Sequence, residues 1–133
     1  FFISNNTSCT NHLVETSGPD TISVDCIRID DFCTQNNVVP DVMKIDIEGA
    51  KFWALEGMEQ TLRQNNITVL VEIHQVYLAD HNITGKMFAD LIGRIGYCAY
   101  DTRGTAIAGD EVTKHSCVIL SKNKVPAAIF EVE

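Results

Sequence analysis

Several features are missing from this 133-residue sequence, and each absence excludes a class of protein. No run of about eighteen apolar residues occurs, so no membrane-spanning helix is expected. Basic residues are scarce, because 10 Lys and Arg against 18 Asp and Glu leave a net charge of −8. Such an acidic balance argues against nucleic acids and anionic membranes as partners.

A disulfide framework and a structural zinc site are also missing. The five cysteines are odd in number, and no pair has the C-x-x-C spacing of a zinc ligand pair. We therefore expect reduced thiols, most of them buried, and a cytoplasmic location. Four N-x-S/T sequons leave the secretory pathway open; they begin at Asn5, Asn6, Asn66 and Asn82.

What the sequence does contain fits one folded domain. With 45% apolar residues it can bury a core, and no repeat, low-complexity segment or domain linker divides it. The chain opens with "FFIS", a pattern typical of a strand, and its first residue is Phe rather than Met. We therefore expect residues 1–133 to be a single domain that forms part of a larger protein.

The apolar pattern predicts strands alternating with helices. Strands are predicted at residues 22–29, 42–47 and 68–73 and at "YCAY" and "HSCVIL"; helices are predicted at "DDFCTQNN", at residues 50–64 and at residues 84–95. An Asp should cap the first helix, Thr84 should cap the third, and Gly96 should end it. This order predicts an α/β fold with a mostly parallel sheet and an antiparallel edge strand.

The stretch "VMKIDIEGAKFWALEGM" carries charges on a strand that leads directly into a helix. Its apolar residues alternate with Lys44, Asp46 and Glu48. Parallel strands are usually buried on both faces, so charges there must be paired, solvated or used. The next strand also ends in polar residues, Glu72 and His74. Because open α/β sheets bind ligands outside the carboxyl ends of their strands, we expect one crevice lined by these polar strand ends.

Each of these polar residues also has a structural interpretation. Lys44 can be the salt-bridge partner of Asp46, and Glu48 can favour the dipole of the following helix. Glu72 can be a solvated strand end, and His74 can simply begin a loop. Other residues are expected in the core or in helix packing (Phe52 and Trp53) or at the surface (His12, His81 and His115).

Three segments together, "IRIDDF", "VVPDVMKIDIEGAKFWALEGMEQTL" and "ITVLVEIH", resemble the FkbM-type methyltransferases. That family has a strand ending in L/I-D-D, then K-I-D-I/V-E-G-A-E before a leucine-rich helix, and a strand ending in E-I/L-H. The opening "FFISNNTSCTNHL" is similar to the family's strand followed by a Ser/Thr-rich turn. The resemblance implies a Rossmann-like methyltransferase sheet that binds S-adenosylmethionine.

The sequence departs from that pattern in two places. Lys51 stands where family members usually carry Glu, which reverses a charge just beyond the strand. The glycine-rich turn that holds the methyl donor does not occur in the sequence. The resemblance therefore implies the C-terminal portion of a methyltransferase domain whose N-terminal strands are missing from this chain.

The resemblance further implies O-methylation of a sugar or a small hydroxylated metabolite. The sulfonium donor is already activated, so the enzyme mainly aligns the reacting atoms, and an oxygen nucleophile gains from a general base. Asp46 takes the family's position beside the donor, and with Glu48 it is a candidate for orienting the acceptor or accepting its proton. His74 is a further candidate for the base, and Glu72 and Lys44 are candidates for substrate binding.

Two other functions stay open at this point. Without a donor-binding half, the chain could be a non-catalytic α/β fragment or a partner-binding module. The carboxylates and the imidazole could instead serve a metal-dependent hydrolase, since Asp46, Glu48, Glu72 and His74 suit a divalent ion. Their spacing matches no recognised metal signature, so no metal is predicted. Affinity for a divalent ion but not for S-adenosylmethionine would favour the hydrolase.

Overall fold

A computed structural model describes residues 18, 19 and 21–126, which form a mixed α/β fold. The helices are α1 (Ile29–Asn36), α2 (Lys51–Glu56), α3 (Glu59–Gln64), α4 (Gln75–Asp80) and α5 (Gly85–Arg94), with a 3-10 helix at Gly109–Lys114. The strands are β1 (Val42–Ile45), β2 (Thr68–Glu72), β3 (Cys98–Tyr100), β4 (Ala106–Ile107) and β5 (Cys117–Ser121). The predicted strand "FFIS", His12 and the sequons at Asn5 and Asn6 lie outside the described residues.

The sheet has the strand order β1-β2-β5-β3-β4. Only β1 and β2 pair in parallel, and the other three pairings among the described strands are antiparallel. The prediction of a mostly parallel sheet is therefore wrong for this part of the chain. An antiparallel strand does lie at one edge, as predicted, but it is β4 rather than the last strand.

The last strand, β5, lies inside the sheet. It runs antiparallel to both β2 and β3, so β1, β2 and β3 all point in one direction. Its side chains from Val118 to Ser121 are buried, which suits a strand covered on both faces. The connection before it carries the chain back between β2 and β3.

Most buried apolar residues of the described structure form one core, and a smaller second cluster contains Tyr100, Ile119 and Val125. The main core includes residues of β2, β5 and α5: Val69, Val71, Val118, Leu120, Phe88 and Leu91. The ring of Phe88 meets that of Phe52 on α2 edge to face, with 5.5 Å between centroids. Phe52 is thus in the core, as predicted. No helix in the described ranges has both the length and the apolar character that a membrane span requires.

Helix α5 begins and ends as the sequence predicts. The Thr84 hydroxyl accepts a hydrogen bond from the Met87 N–H at 3.2 Å. At the other end Gly96 has a φ of +77°, and the N–H of Tyr97 reaches back to the Ile92 carbonyl at 3.0 Å. This left-handed glycine turn closes the helix and directs the chain into β3.

The helix predicted over residues 50–64 is divided into α2 and α3 by a break at Gly57. In an unbroken helix, the carbonyls of Glu56 and Gly57 would accept from the N–H groups of Gln60 and Thr61, four residues later. A break leaves two acceptors and two donors without their usual partners, and buried backbone groups need replacements.

The residue before α1 and the first turn of α1 supply those replacements. The Arg28 guanidinium donates to the Glu56 carbonyl at 3.2 Å, and the Asp30 N–H donates to the Gly57 carbonyl at 3.0 Å. The Asp30 carboxylate accepts from both freed N–H groups of α3, at 2.8 and 3.3 Å. Asp30 therefore caps α3, and the prediction that an Asp caps α1 is wrong, since Arg28 holds that position without a side-chain cap.

Residues 22–28 do not form the predicted strand. Their alternating apolar side chains, including Val24 and Ile27, are exposed. Alternation predicts a strand only when a neighbouring layer buries one of its faces, and the described structure does not bury this one. The prediction that the thiols are mostly buried is also wrong for the described cysteines: all four are free, but only Cys33 is buried.

Candidate active site at the carboxyl ends of β1 and β2

The polar strand ends meet because β1 and β2 are parallel neighbours in register. Ile45 pairs with Val71, so the residues that follow each strand leave the sheet side by side. One ligand atom from each of Asp46, Glu48 and His74 lies within 4.8 Å of the others. The structure thus brings together the side chains that the sequence predicted to share a crevice, with Glu72 closing the end of β2.

Lys44 links the outer carboxylates of this group. Its ammonium lies 3.0 Å from Asp46 Oδ2 and 2.9 Å from Glu72 Oε1, and all three side chains are partly exposed. The hydrogen bond from Lys44 holds the pKa of Asp46 below its ordinary value of 3.8. The Glu72 and Asp46 bonds raise the pKa of Lys44. The salt-bridge interpretation of Lys44 therefore holds, and the pair stays ionised at neutral pH.

A second, deeper group surrounds Lys51, whose side chain is only 2% exposed. The Lys51 ammonium lies 2.7 Å from His74 Nδ1 and 3.7 Å from Glu48 Oε2. Burial lowers the pKa of Lys51, while the nearby carboxylates of Glu48, Asp46 and Glu72, in that order, act to raise it. We refer to Lys51, Glu48 and His74 as the inner cluster.

Sequence reasoning noted Lys51 as a departure from the family pattern but assigned it no place in the site. A signal was present. Leu55, Met58 and Leu62 form the apolar stripe of the predicted helix, and Lys51 begins that stripe one turn earlier. A lysine at a core position of a helix needs a buried counter-charge, and Glu48 is the carboxylate three residues before it.

The inner cluster leaves one acceptor without a proton. The role of His74 Nδ1 depends on the tautomer: in the tautomer with the proton on Nε2, Nδ1 accepts from the Lys51 ammonium, which only donates. Nδ1 then has no proton for Glu48 Oε2, although the two atoms lie 2.9 Å apart. Glu48 Oε2 is buried and has no hydrogen-bond partner among the described residues. A buried carboxylate oxygen in this state attracts positive charge.

Helix α4 covers the turn that leads into α2. Gly49 makes that turn with a φ of +83°, and a Cβ added there would lie 3.6 Å from His81 Nε2. His81 in turn meets the ring of Trp53 edge to face at 4.8 Å between centroids. Trp53 is thus exposed beside the site and not in the core, but its ring packs on His81 just after α4, in line with the helix-packing alternative, and His81 is half-buried.

Comparison with protein-family models assigns the chain. Residues 1–101 match the model described as Methyltransferase FkbM domain. The chain belongs to the FkbM methyltransferase domain family. The resemblance noted from the sequence is thereby confirmed, and the family indicates an enzyme that transfers methyl groups. The inner cluster and the outer group of Lys44, Asp46 and Glu72 both lie inside the matched region. No curated protein and no solved structure matches the chain.

Proposed function

We propose that this FkbM domain takes part in the transfer of a methyl group from S-adenosylmethionine to a hydroxyl group of a sugar or a small metabolite. The observation that carries the proposal is the convergence of Asp46, Glu48 and His74 at the carboxyl ends of two parallel strands. That edge is where open α/β sheets bind their ligands, and it lies within the family match.

Asp46 is the proposed proton acceptor. It is the most exposed carboxylate of the three that end β1 and β2, so an acceptor hydroxyl can reach it. Its low pKa keeps it ionised across the neutral range. An alkyl oxygen gains nucleophilicity as its proton moves to a positioned base, and the contribution of such a base is on the order of 10²–10⁴-fold in rate. Asp46 would also lie beside the donor, as the resemblance implies.

Glu48 and His74 are proposed to orient the acceptor. The Lys51 ammonium fixes the proton of His74 on Nε2, and that N–H can donate to the acceptor oxygen. If Lys51 instead loses its proton, Nδ1–H can donate to Glu48 and Nε2 becomes a base. Holding the nucleophile in line with the methyl carbon supplies most of what a methyl transfer needs.

Lys44 and Glu72 form the proposed outer wall of the acceptor site. Their salt bridge is partly exposed at the mouth of the crevice, where paired charges can exchange hydrogen bonds with sugar hydroxyls. The glycine-rich donor turn that the family resemblance implies does not occur in residues 1–133. A cytoplasmic location is part of the same proposal.

Calorimetric titration of S-adenosylmethionine tests the donor. The experiment uses two proteins: residues 1–133, and the product of the complete reading frame that contains them. Binding by the complete product supports the proposal and justifies a screen of sugars and hydroxylated metabolites as acceptors. A folded complete product that does not bind S-adenosylmethionine contradicts it and favours the partner-binding alternative.

The pH dependence of the rate distinguishes the two candidate bases. With Asp46 as the base, kcat/KM has no acid limb near neutrality, because the Asp46 carboxyl ionises below its ordinary pKa. Asp46→Asn should lower kcat by on the order of 10²–10⁴-fold. An acid limb near neutrality that His74→Gln abolishes would assign the base to His74 instead.

A further inference from the structure

Asp46, Glu48 and His74 have the composition of a divalent-metal site, yet the Lys51 ammonium already lies against two of them. Two carboxylates and one imidazole offer ligand atoms within 4.8 Å of one another. Oxygen and nitrogen ligands at about 2.1 Å from one ion lie at most about 4.2 Å apart, so a contraction of about half an ångström would suffice for coordination. The chemistry of the donor set is therefore suitable for a borderline ion.

Lys51 already supplies a positive charge at that place. Its ammonium lies 2.7 Å from His74 Nδ1, the nitrogen beside Glu48 Oε2, and takes the lone pair that a metal would need. It also acts electrostatically on Asp46, the third member of the set. With 2% of its side chain exposed, Lys51 cannot leave for solvent without repacking of α2.

We propose that Lys51 is a positioning residue whose buried ammonium takes the place of a divalent metal ion between Glu48, His74 and Asp46. The lysine fixes the imidazole and balances the carboxylates, as a bound ion does in sites that carry one. It also repels added metal, since a divalent ion would meet an unscreened charge in a poorly solvated site. The inference uses the geometry of the proposed active site but not the identity of the reaction.

Titration with Mn²⁺, followed through the electron paramagnetic resonance signal of the free ion, tests this on the full-length protein. Wild type should bind no Mn²⁺ at this site. Lys51→Met keeps the length of the side chain but removes its charge, and it should bind one equivalent at least on the order of 100-fold more tightly than wild type. Adding Glu48→Gln to Lys51→Met should abolish that binding.

Two matched variants separate position from charge. Lys51→Arg keeps a cation in the inner cluster and should exclude Mn²⁺ as wild type does. Lys44→Met removes an exposed cation that contacts the same Asp46, but it leaves Lys51 in place and should not create a site. Circular dichroism and urea unfolding establish that each variant is folded, and Lys51→Gln is measured instead if Lys51→Met is not.

The proposal is overturned if wild type binds one Mn²⁺ that Glu48→Gln removes, or if a folded, uncharged Lys51 variant binds no more tightly than wild type. Neither result depends on methyl transfer. Conversely, failure to bind S-adenosylmethionine leaves the metal titration interpretable, so the two proposals can fail separately. Activity of the wild-type enzyme in the presence of chelator is a further expected result.

Discussion

Asp30 and Glu48 are both carboxylates withdrawn from solvent, and their surroundings differ. The Asp30 carboxylate accepts three hydrogen bonds from the N-terminal turn of α3, two of them from Thr61, and Arg28 lies 3.4 Å away. Glu48 keeps one buried oxygen without a hydrogen bond, between a lysine and a histidine. A buried polar group whose hydrogen bonds are all made stabilises the fold, whereas an unsatisfied one needs an explanation, and a catalytic role is one such explanation.

The two sites are also connected. Arg28 and Asp30 hold the break that ends α2, and Lys51 enters the inner cluster from the first turn of the same helix. The Arg28 side chain and the Asp30 backbone N–H hold the end of that helix, whereas the Asp30 carboxylate itself caps α3. The comparison predicts that changes near Asp30 act on stability and that changes near Glu48 act on activity.

The largest expected effect is on catalysis. His74→Gln keeps an acceptor for the Lys51 ammonium but moves the donor that orients the substrate. We expect kcat/KM to fall by about 10²-fold, equivalent to about 2.7 kcal/mol of transition-state stabilisation. The free energy of unfolding, measured in urea, should change by less than about 0.5 kcal/mol, because the His74 side chain is partly exposed. If His74→Gln lowered the free energy of unfolding by as much as it lowers transition-state stabilisation, the surroundings of Glu48 would serve stability as those of Asp30 do, and the comparison would fail.

Asp30→Ala should have the opposite profile. Loss of the carboxylate leaves two N–H groups of α3 without partners, and we expect the free energy of unfolding to fall by about 2 kcal/mol. The rate per folded molecule should stay near that of wild type. The matched control is Asp31→Ala at the adjacent, exposed position. Its free energy of unfolding, measured in urea, should differ from that of wild type by less than about 0.5 kcal/mol.

Thr84→Ala sharpens the comparison between a cap from a distant segment and a local one. Thr84 caps its own helix with one neutral hydrogen bond, whereas Asp30 reaches α3 across 31 residues with a charged group. The free energy of unfolding of Thr84→Ala should therefore be about 1 kcal/mol lower than that of wild type. This decrease should be smaller than the decrease for Asp30→Ala. An equal or larger decrease for Thr84→Ala would show that Asp30 is not a major cap.

The smallest effect concerns a carboxylate that is satisfied but exposed. Backbone N–H groups of Thr105 and Arg103 donate to Asp101 and hold its pKa below the ordinary value of 3.8. Because the folded pKa is lowered, the stabilisation is present above pH 3.8 and is lost as the pH falls through the folded value. Nuclear magnetic resonance titration should show the Asp101 carboxyl protonating below the free residue, and Asp101→Asn should remove the acid sensitivity of the turn.

The sequence predicts correctly those elements whose stabilising interactions come from residues nearby in the chain. The caps of α5 were predicted because Thr84 and Gly96 act within a few residues of their partners. The meeting of Asp46 with His74 followed from two apolar strands with polar ends. In each case the decisive interaction is local, or a property of neighbouring parallel strands.

The predictions that were wrong concern features that depend on residues far away in the sequence. Nothing near Gly57 shows that Arg28 and Asp30 break the helix, because they come from 27 or more residues earlier in the chain. The alternating pattern of residues 22–28 does not reveal whether another layer covers it. For Lys51 the sequence shows a charge on the apolar stripe with Glu48 three residues earlier, but it does not show the contact with His74, 23 residues away.

The internal place of β5 has a consequence for how the protein is made on the ribosome. Until residues 117–121 emerge, β2 and β3 cannot be joined, and the nascent sheet consists of two parts with open edges. Contacts of high sequence separation form slowly, and exposed strand edges invite association with other chains. The described sheet is completed only when β5 has been synthesised, so a ribosome that stalls before residue 117 would release a chain prone to aggregate.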